Sequence, residues 1–121
     1  MALQFYERGG VRVLPATGEF DLSNSEAFEA AISEGLDGTG ALVLDLTAVE
    51  YVDSTILGVL ARQRNAAGPR LQIVGPRSPK VRRVFEITGL AKSLALKDSL
   101  EGVMRLVAAS STPATANGKL T

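Results

Sequence analysis

The sequence predicts one α/β domain built on a parallel or mixed sheet. Short aliphatic segments alternate with helical segments about every twenty residues along the chain, which is the pattern of such sheets. The chain has 121 residues, a length that suits one hydrophobic core and is too short for two. The pattern leaves open whether the helices cover one face of the sheet or both.

The chain starts with a predicted hairpin. Residues 11–16 begin with the apolar–polar–apolar alternation of Val11, Arg12 and Val13, which is typical of a strand with one buried face. Gly9 and Gly10 precede this strand and predict a turn that brings it back along residues 3–6. We therefore expect a terminal hairpin.

The first helix is predicted over residues 23–36. Ser23 and Glu26 have the spacing of a capping box, and Gly38 is the stop signal. Apolar residues then recur at helical spacing, namely Ala27, Phe28, Ala31, Ile32 and Leu36.

The middle of the sheet is predicted over residues 41–46. This run is almost continuously apolar, as expected for a central strand that is covered on both faces. A second helix follows over residues 54–67 and ends at Gly68 and Pro69. Its inward side chains are expected to be Ile56, Leu57, Val59, Leu60 and Ala61.

A further strand and a third helix are predicted in the second half. Residues 70–75 form the strand, and Ser78 with Pro79 has the form of an N-cap followed by proline at the first helical position. Gly89 ends this helix. Its predicted apolar stripe consists of Val81, Val84, Phe85 and Ile87.

The last elements are a short edge strand, predicted over residues 93–96, and a final helix. Asp98 and Glu101 have capping-box spacing at its start, and its core face is expected to contain Leu100, Val103, Met104 and Val107. Residues 110–121 are rich in Ser, Thr, Pro, Ala, Asn and Gly, which predicts a disordered tail. The folded domain is therefore assigned to residues 1–109.

Composition excludes several classes of function. The chain has no cysteine and no histidine, which removes thiolate chemistry, the commonest general base and the commonest metal ligand. We expect no metal and no cofactor. The N-terminus lacks the pattern of a signal peptide, and no apolar run approaches the roughly 20 residues of a membrane span. A cytoplasmic protein without membrane insertion is expected.

Charge is distributed unevenly along the chain. Residues 1–60 hold 2 basic and 10 acidic side chains, and residues 61–121 hold 11 basic and 3 acidic ones, a balance of −8 against +8. We favour the interpretation that these charges compensate each other across the fold. The alternative is an acidic face that meets the basic face of a partner.

The start of the second helix carries the most informative polar residues. Asp53, Ser54 and Thr55 place an acid and two hydroxyls where a strand gives way to a helix. In the structural interpretation, Asp53 or Ser54 is an ordinary N-cap worth about 1 kcal/mol. In the functional interpretation, the helix N-terminus accommodates a phosphate on one hydroxyl, and the added charge acts as a binding switch.

Other chemistry has little support. No P-loop and no dinucleotide fingerprint occurs, and no base is available to activate a serine nucleophile. The basic cluster Lys80, Arg82 and Arg83 is interpreted as a solvated helix face and not as a nucleic-acid site. We therefore expect a protein that is not an enzyme.

Four segments of the chain, in their order and spacing, carry a resemblance to a known family, namely residues 18–22, residues 43–46 running on to 52–55, residues 57–60 and residues 84–90. From Val11 to Val107 the chain resembles the STAS domain family, specifically the bacterial anti-sigma factor antagonists. The resemblance implies a mixed sheet of about four to five strands, with about four helices packed mainly on one side.

The resemblance also implies a mechanism. In this family a partner kinase, the anti-sigma factor, phosphorylates a Ser or Thr at the start of the second helix. The unmodified antagonist binds the anti-sigma factor and frees a sigma factor, phosphorylation abolishes binding, and a serine/threonine phosphatase restores it. Thr55 matches the acceptor position, with Ser54 as the alternative. The residues expected to bind the partner are Asp21, Asp53, Ser54, Thr55, Leu57 and Gly58.

One residue departs from the family pattern. Ile56 stands where glycine often follows the acceptor; its branched side chain either packs inward and leaves the site intact or crowds the approach of the kinase. The alternative function is a STAS-like subunit, without phosphorylation, of a stress-sensing or lipid-transport assembly. A monomer or a weak homodimer is expected in either case.

Overall fold

The computed structural model describes residues 2–38 and 40–107. These residues form one mixed sheet with helices on both of its faces. The strands are β1 (Ala2–Leu3), β2 (Tyr6–Arg8), β3 (Val11–Phe20), β4 (Leu42–Val52) and β5 (Leu71–Val74). The helices are α1 (Ser25–Gly35), α2 (Ser54–Ala67), α3 (Pro79–Ile87), α4 (Leu90–Ser93) and α5 (residues 100–107).

Strand pairing confirms the mixed sheet and its central strand. β4 lies between β3 and β5 and is parallel to both. β1 and β2 both pair antiparallel with the other edge of β3, so they share one strand position. Gly9 and Gly10 both have positive φ, of 58° and 79°, in the tight turn between β2 and β3. The predicted terminal hairpin is therefore confirmed.

The main core lies on one face of the sheet. Alternate residues of the three parallel strands face α1, α2 and α3, which contribute most of the buried helix side chains. Phe20 at the end of β3 and Phe28 of α1 pack with their ring centroids 4.9 Å apart. Completely buried strand residues on this face are Leu14, Ala16, Phe20, Leu42, Leu44, Leu71 and Ile73.

A smaller core lies on the opposite face, where α5 covers the sheet. Val13, Val43 and Val74 come from three neighbouring strands and contact Val103 of α5; all four are fully buried. Leu100, Met104 and Val107 pack around them, which confirms the predicted core face of this helix. Because the other helices share the first face, the helices are packed mainly on one side, as the resemblance implied.

β3 and β4 are longer than predicted. They continue side by side to Phe20 and Val52, and two register shifts interrupt their pairing. Each shift places an extra residue on β4, which keeps Val49 and Val52 in the core although the simple alternation is broken. The extension matters for function because it carries both strands to the same edge of the sheet.

The predicted cap of the first helix is wrong. The residues that cap each other are Asp21 and Asn24, which enclose a short 3-10 turn over Leu22–Asn24, and α1 begins after that turn at Ser25. Asp21 forms the cap because it directly follows the last strand residue, where its carboxylate accepts a hydrogen bond from the backbone N–H of Ser23.

Three predictions near the C-terminal half also need correction. Residues 93–96 do not form a strand, because α4 ends at Ser93 and a turn follows. The chain pairs with the edge of the sheet only at Lys97, through an isolated bridge to Val74 of β5. Ile87 is 71% exposed and so does not belong to the apolar stripe of α3. The cap of α5 is Ser99, whose hydroxyl accepts a hydrogen bond from Gly102 N–H at 3.0 Å.

The extent of α2 is confirmed at both ends. The predicted tail over residues 110–121 lies outside the described residues. Within the part of the chain that the structure describes, none of the helices combines the length and apolar character that crossing a membrane requires.

Candidate functional site

The candidate site lies at the carboxyl ends of β3 and β4. Phe20 and Val52 are register partners at the ends of these parallel strands. Asp21 and Asp53 are the next residues of each chain segment, so the two carboxylates emerge at the same edge of the sheet. The sequence placed both residues at the site, and the structure brings them together.

Asp53 joins two segments through one carboxylate. It is the N-cap of α2, where Oδ1 accepts a hydrogen bond from the backbone N–H of Ile56 at 3.1 Å. Oδ2 accepts a second hydrogen bond from the backbone N–H of Leu22 at 3.0 Å. The predicted N-cap is therefore present, and the same side chain also fastens the turn that follows β3 to the start of α2.

Asp21 organises the turn itself. Its Oδ1 accepts hydrogen bonds from the Ser23 backbone N–H at 2.9 Å and from the Ser23 hydroxyl at 2.5 Å. The amide oxygen of Asn24 accepts a hydrogen bond from the Asp21 N–H at 2.8 Å. The hydrogen bond from the Ser23 hydroxyl is the main reason that the pKa of Asp21 lies below its ordinary value. Asp21 is therefore a fixed negative charge beside the helix.

The two hydroxyls occupy the first turn of α2. Ser54 is exposed and Thr55 is half-buried, so both belong to the molecular surface next to the Asp53 cap. Ile56, only 1% exposed, packs into the main core. Of the two arrangements open for Ile56, the structure has the inward one.

Leu57 and Gly58 continue the same helix turn. Leu57 is half-buried and packs against the main core, so its contact with solvent is partial. Gly58 is half-buried, and a Cβ added there would have only the Arg62 guanidinium within 4 Å, at 3.7 Å. Arg62 in turn forms an ion pair of 2.9 Å with Glu29 of α1. This ion pair links α2 to α1 one helical turn after Gly58.

Leu22 is the residue at this site that the sequence did not single out. It lies between the two acidic residues in space and is 71% exposed, although it is a large apolar side chain. Tyr51, near the end of β4, is 49% exposed. The available signal was an apolar residue directly after Asp21, where the strand has ended and no helical period has begun.

The site is negatively charged. Residues 18–25 and 49–58 contain Glu19, Asp21, Glu50 and Asp53 and no lysine or arginine. In the described ranges 2–38 and 40–107, the ion pairs are Arg8 with Glu101 and Arg62 with Glu29, and neither involves these four carboxylates. No cluster of three or more acidic groups suited to a metal ion occurs in those ranges. The arrangement is suited to binding a partner surface.

The family model described as the STAS domain matches residues 2–103. A protein of Mycobacterium tuberculosis named anti-sigma-F factor antagonist RsfB is 38% identical over 103 residues, which cover 80% of this chain and 84% of that protein.

Two solved structures of anti-sigma factor antagonists are also similar to this chain. An anti-sigma factor antagonist from Mycobacterium paratuberculosis superposes with a TM-score of 0.78 at 33% identity, covering 88% of this chain and 92% of its own. The anti-sigma factor antagonist SpoIIAA in its unphosphorylated form superposes with a TM-score of 0.67 at 25% identity, covering 87% and 96%. These likenesses extend over nearly all of each chain.

Proposed function

This chain belongs to the STAS domain family, and we propose that it is an anti-sigma factor antagonist switched by phosphorylation at Thr55. It binds an anti-sigma factor of the serine/threonine kinase type and so releases a sigma factor. Phosphorylation ends the binding, and a serine/threonine phosphatase restores it. The protein acts by binding in the cytoplasm and not by catalysis, and residues 1–109 form the binding unit.

The observation that carries this proposal is the exposed polar start of α2. An acid that caps the helix is followed by an exposed serine and a half-buried threonine, on a chain 38% identical to a named anti-sigma-F factor antagonist. That SpoIIAA has a solved structure in an unphosphorylated form supports a role for phosphorylation in a related fold. Thr55 is the proposed acceptor and Ser54 the alternative.

The helix start provides physical support for the switch. Backbone N–H groups and the positive end of the helix dipole stabilise a phosphate at this position, so modification leaves the fold intact. The phosphate adds about −1.5 to −2 charges beside Asp53 and carries a tightly held hydration shell. A partner that binds the unmodified surface would have to remove this hydration in order to bind the phosphorylated one. The cost of dehydrating the phosphate weakens binding.

The remaining proposed contact residues surround the acceptor. Asp21 and Asp53 supply fixed negative charge, and Leu57 and Gly58 extend the contact along the first turns of α2. The inward packing of Ile56 supports access of a kinase to Thr55, since the branched side chain is buried in the main core.

The test is intact-mass spectrometry with peptide mapping on protein purified from its native host with phosphatases inhibited. A mass increase of one phosphate located at Thr55 is expected, and Thr55→Ala should abolish its incorporation by the cognate kinase. Incorporation unchanged in Thr55→Ala would reject Thr55 as the acceptor. Protein that stays unmodified across growth and stress conditions, and that co-purifies with a transport assembly, would favour the STAS-like subunit instead.

A further inference from the structure

The most exposed large apolar side chain at the site is that of Leu22. It is 71% exposed, whereas Phe20, two residues earlier, is completely buried. Single exposed apolar residues are common on protein surfaces, so exposure alone does not indicate a contact. Three further features distinguish Leu22, and they concern its backbone, its position and its surroundings.

The backbone of Leu22 is held on both sides. Its N–H donates a hydrogen bond to Asp53 Oδ2 at 3.0 Å, and its carbonyl oxygen accepts one from the Ser25 hydroxyl at 3.1 Å. The residue also begins the 3-10 turn that Asp21 and Asn24 cap. Because its backbone is already ordered, Leu22 loses side-chain rotamer entropy but little backbone entropy when a partner covers it.

The position of Leu22 links it to the proposed acceptor. The carboxylate that holds Leu22 N–H also accepts the hydrogen bond from Ile56 N–H in the first turn of α2. The Asp53 side chain thus bridges the Leu22 backbone and the helix turn that contains Thr55. A partner surface that spans this bridge contacts both residues.

The surroundings of Leu22 are acidic. Glu19 and Glu50 are exposed near the ends of β3 and β4, and Asp21 and Asp53 lie next to Leu22. The segments that form the site contain no compensating cation. An apolar centre inside a charged rim is the usual anatomy of a protein interface, and here the rim is negative.

We propose that Leu22 is the apolar anchor of the partner-binding surface, and that its partner offers an apolar pocket rimmed by basic side chains. This inference rests on the proposed function, because the partner is taken to be the anti-sigma factor. Leu22 buries its side chain in that pocket, while the acidic rim speeds the encounter and sets the orientation.

The test compares Leu22→Ala with Leu22→Met and Leu106→Ala. Leu106 is 47% exposed on α5, which packs on the opposite face of the sheet, so it is a matched control. Each variant is measured against purified kinase-type anti-sigma factors of the native host by biolayer interferometry. Unfolding temperatures establish that the variants are folded.

We expect Leu22→Ala to raise Kd about 10- to 100-fold, mainly through faster dissociation. Leu22→Met keeps an apolar side chain of similar size and should stay within about threefold of the wild type. Leu106→Ala should bind like the wild type. The double variant Glu19→Gln, Glu50→Gln should associate more slowly and lose part of its dependence on salt.

The outcomes separate the anchor from the proposed function. If no anti-sigma factor of the host binds the wild-type protein, the proposed function fails and the anchor with it. If one binds the wild type and binds folded Leu22→Ala within about twofold, the proposed function stands and the anchor is overturned. Equal salt dependence of the wild type and the glutamine double variant would overturn the basic rim.

Discussion

Asp53 accepts a hydrogen bond from the backbone N–H of Leu22 at 3.0 Å, across 31 residues of sequence. The other oxygen of the same carboxylate caps α2 through Ile56 N–H. Two segments that leave the sheet at neighbouring strands are thus joined by one side chain.

Replacing Asp53 should lower stability through the loss of the cap. We expect Asp53→Ala to reduce the free energy of unfolding by about 1–2 kcal/mol. Asp53→Asn should lose less, because an asparagine Oδ1 still accepts from Ile56 N–H although its amide cannot accept from Leu22. Urea unfolding measures both. Glu86→Ala, an exposed carboxylate on α3, is the control and should change stability by less than about 0.5 kcal/mol.

Asp21 should titrate at a lower pH than an ordinary aspartate. The Ser23 hydroxyl favours its charged form and lowers the pKa from the ordinary 3.8. The stabilisation is complete above the pKa of the unfolded chain and is lost as pH falls through the lower pKa of the folded state. Nuclear magnetic resonance titration of the carboxyl carbon should show this shift.

Ser23→Ala tests the cause of the Asp21 shift. The substitution removes the hydroxyl that donates to Asp21 Oδ1 and should move the pKa of Asp21 upward. The pKa of the unfolded chain does not change, so the loss of stability should begin at the same pH in both proteins and be smaller in the variant. Identical Asp21 titration curves for the two proteins would show that Ser23 does not set this pKa.

A fixed charge at the proposed acceptor should mimic the phosphate in part. We expect Thr55→Asp to weaken binding to the anti-sigma factor by about tenfold or more, measured by calorimetry. Thr17→Asp is the control. It places the same charge on an exposed residue of β3, on the face of the sheet opposite to the main core. If both variants bound as tightly as the wild type, the charge switch would be excluded.

Ile56 should contribute to stability and should not limit the access of the kinase to Thr55. Because its side chain is 1% exposed in the main core, Ile56→Ala should cost about 2–5 kcal/mol and Ile56→Val about 0.5–1.5 kcal/mol. Thermal unfolding measures the difference. At a temperature where Ile56→Val is folded, its rate of phosphorylation should equal that of the wild type. A marked acceleration would show that Ile56 does crowd the kinase.

Much of the site was predictable because its signals are local. Asp53 precedes an unbroken apolar period over α2, and an acid at such a boundary is an N-cap whatever the rest of the fold does. The extent of α2 was predicted for the same reason, since Gly68 and Pro69 end the helix by backbone chemistry alone. Asp21 was predicted as a site residue from the resemblance to a family and not from a local pattern.

The predictions that failed depended on distant contacts. Ile87 lies three residues after Val84 in α3 but is 71% exposed, whereas Val81 and Phe85 of the same helix are buried. Ser23 and Glu26 have the capping-box spacing, yet Asp21 and Asn24 cap the turn. The end of β3 at Phe20 decides between these two caps, and that end depends on pairing with β4.

The sequence by itself determined that this is an α/β domain with a polar, hydroxyl-bearing start to α2, because apolar periodicity and capping act between near neighbours in the chain. Only the tertiary structure decided that Asp21 and Asp53 meet at one edge of the sheet and that Leu22 stands exposed between them. The physical reason is the parallel pairing of β3 with β4, whose register, including its two shifts, depends on packing across the whole core.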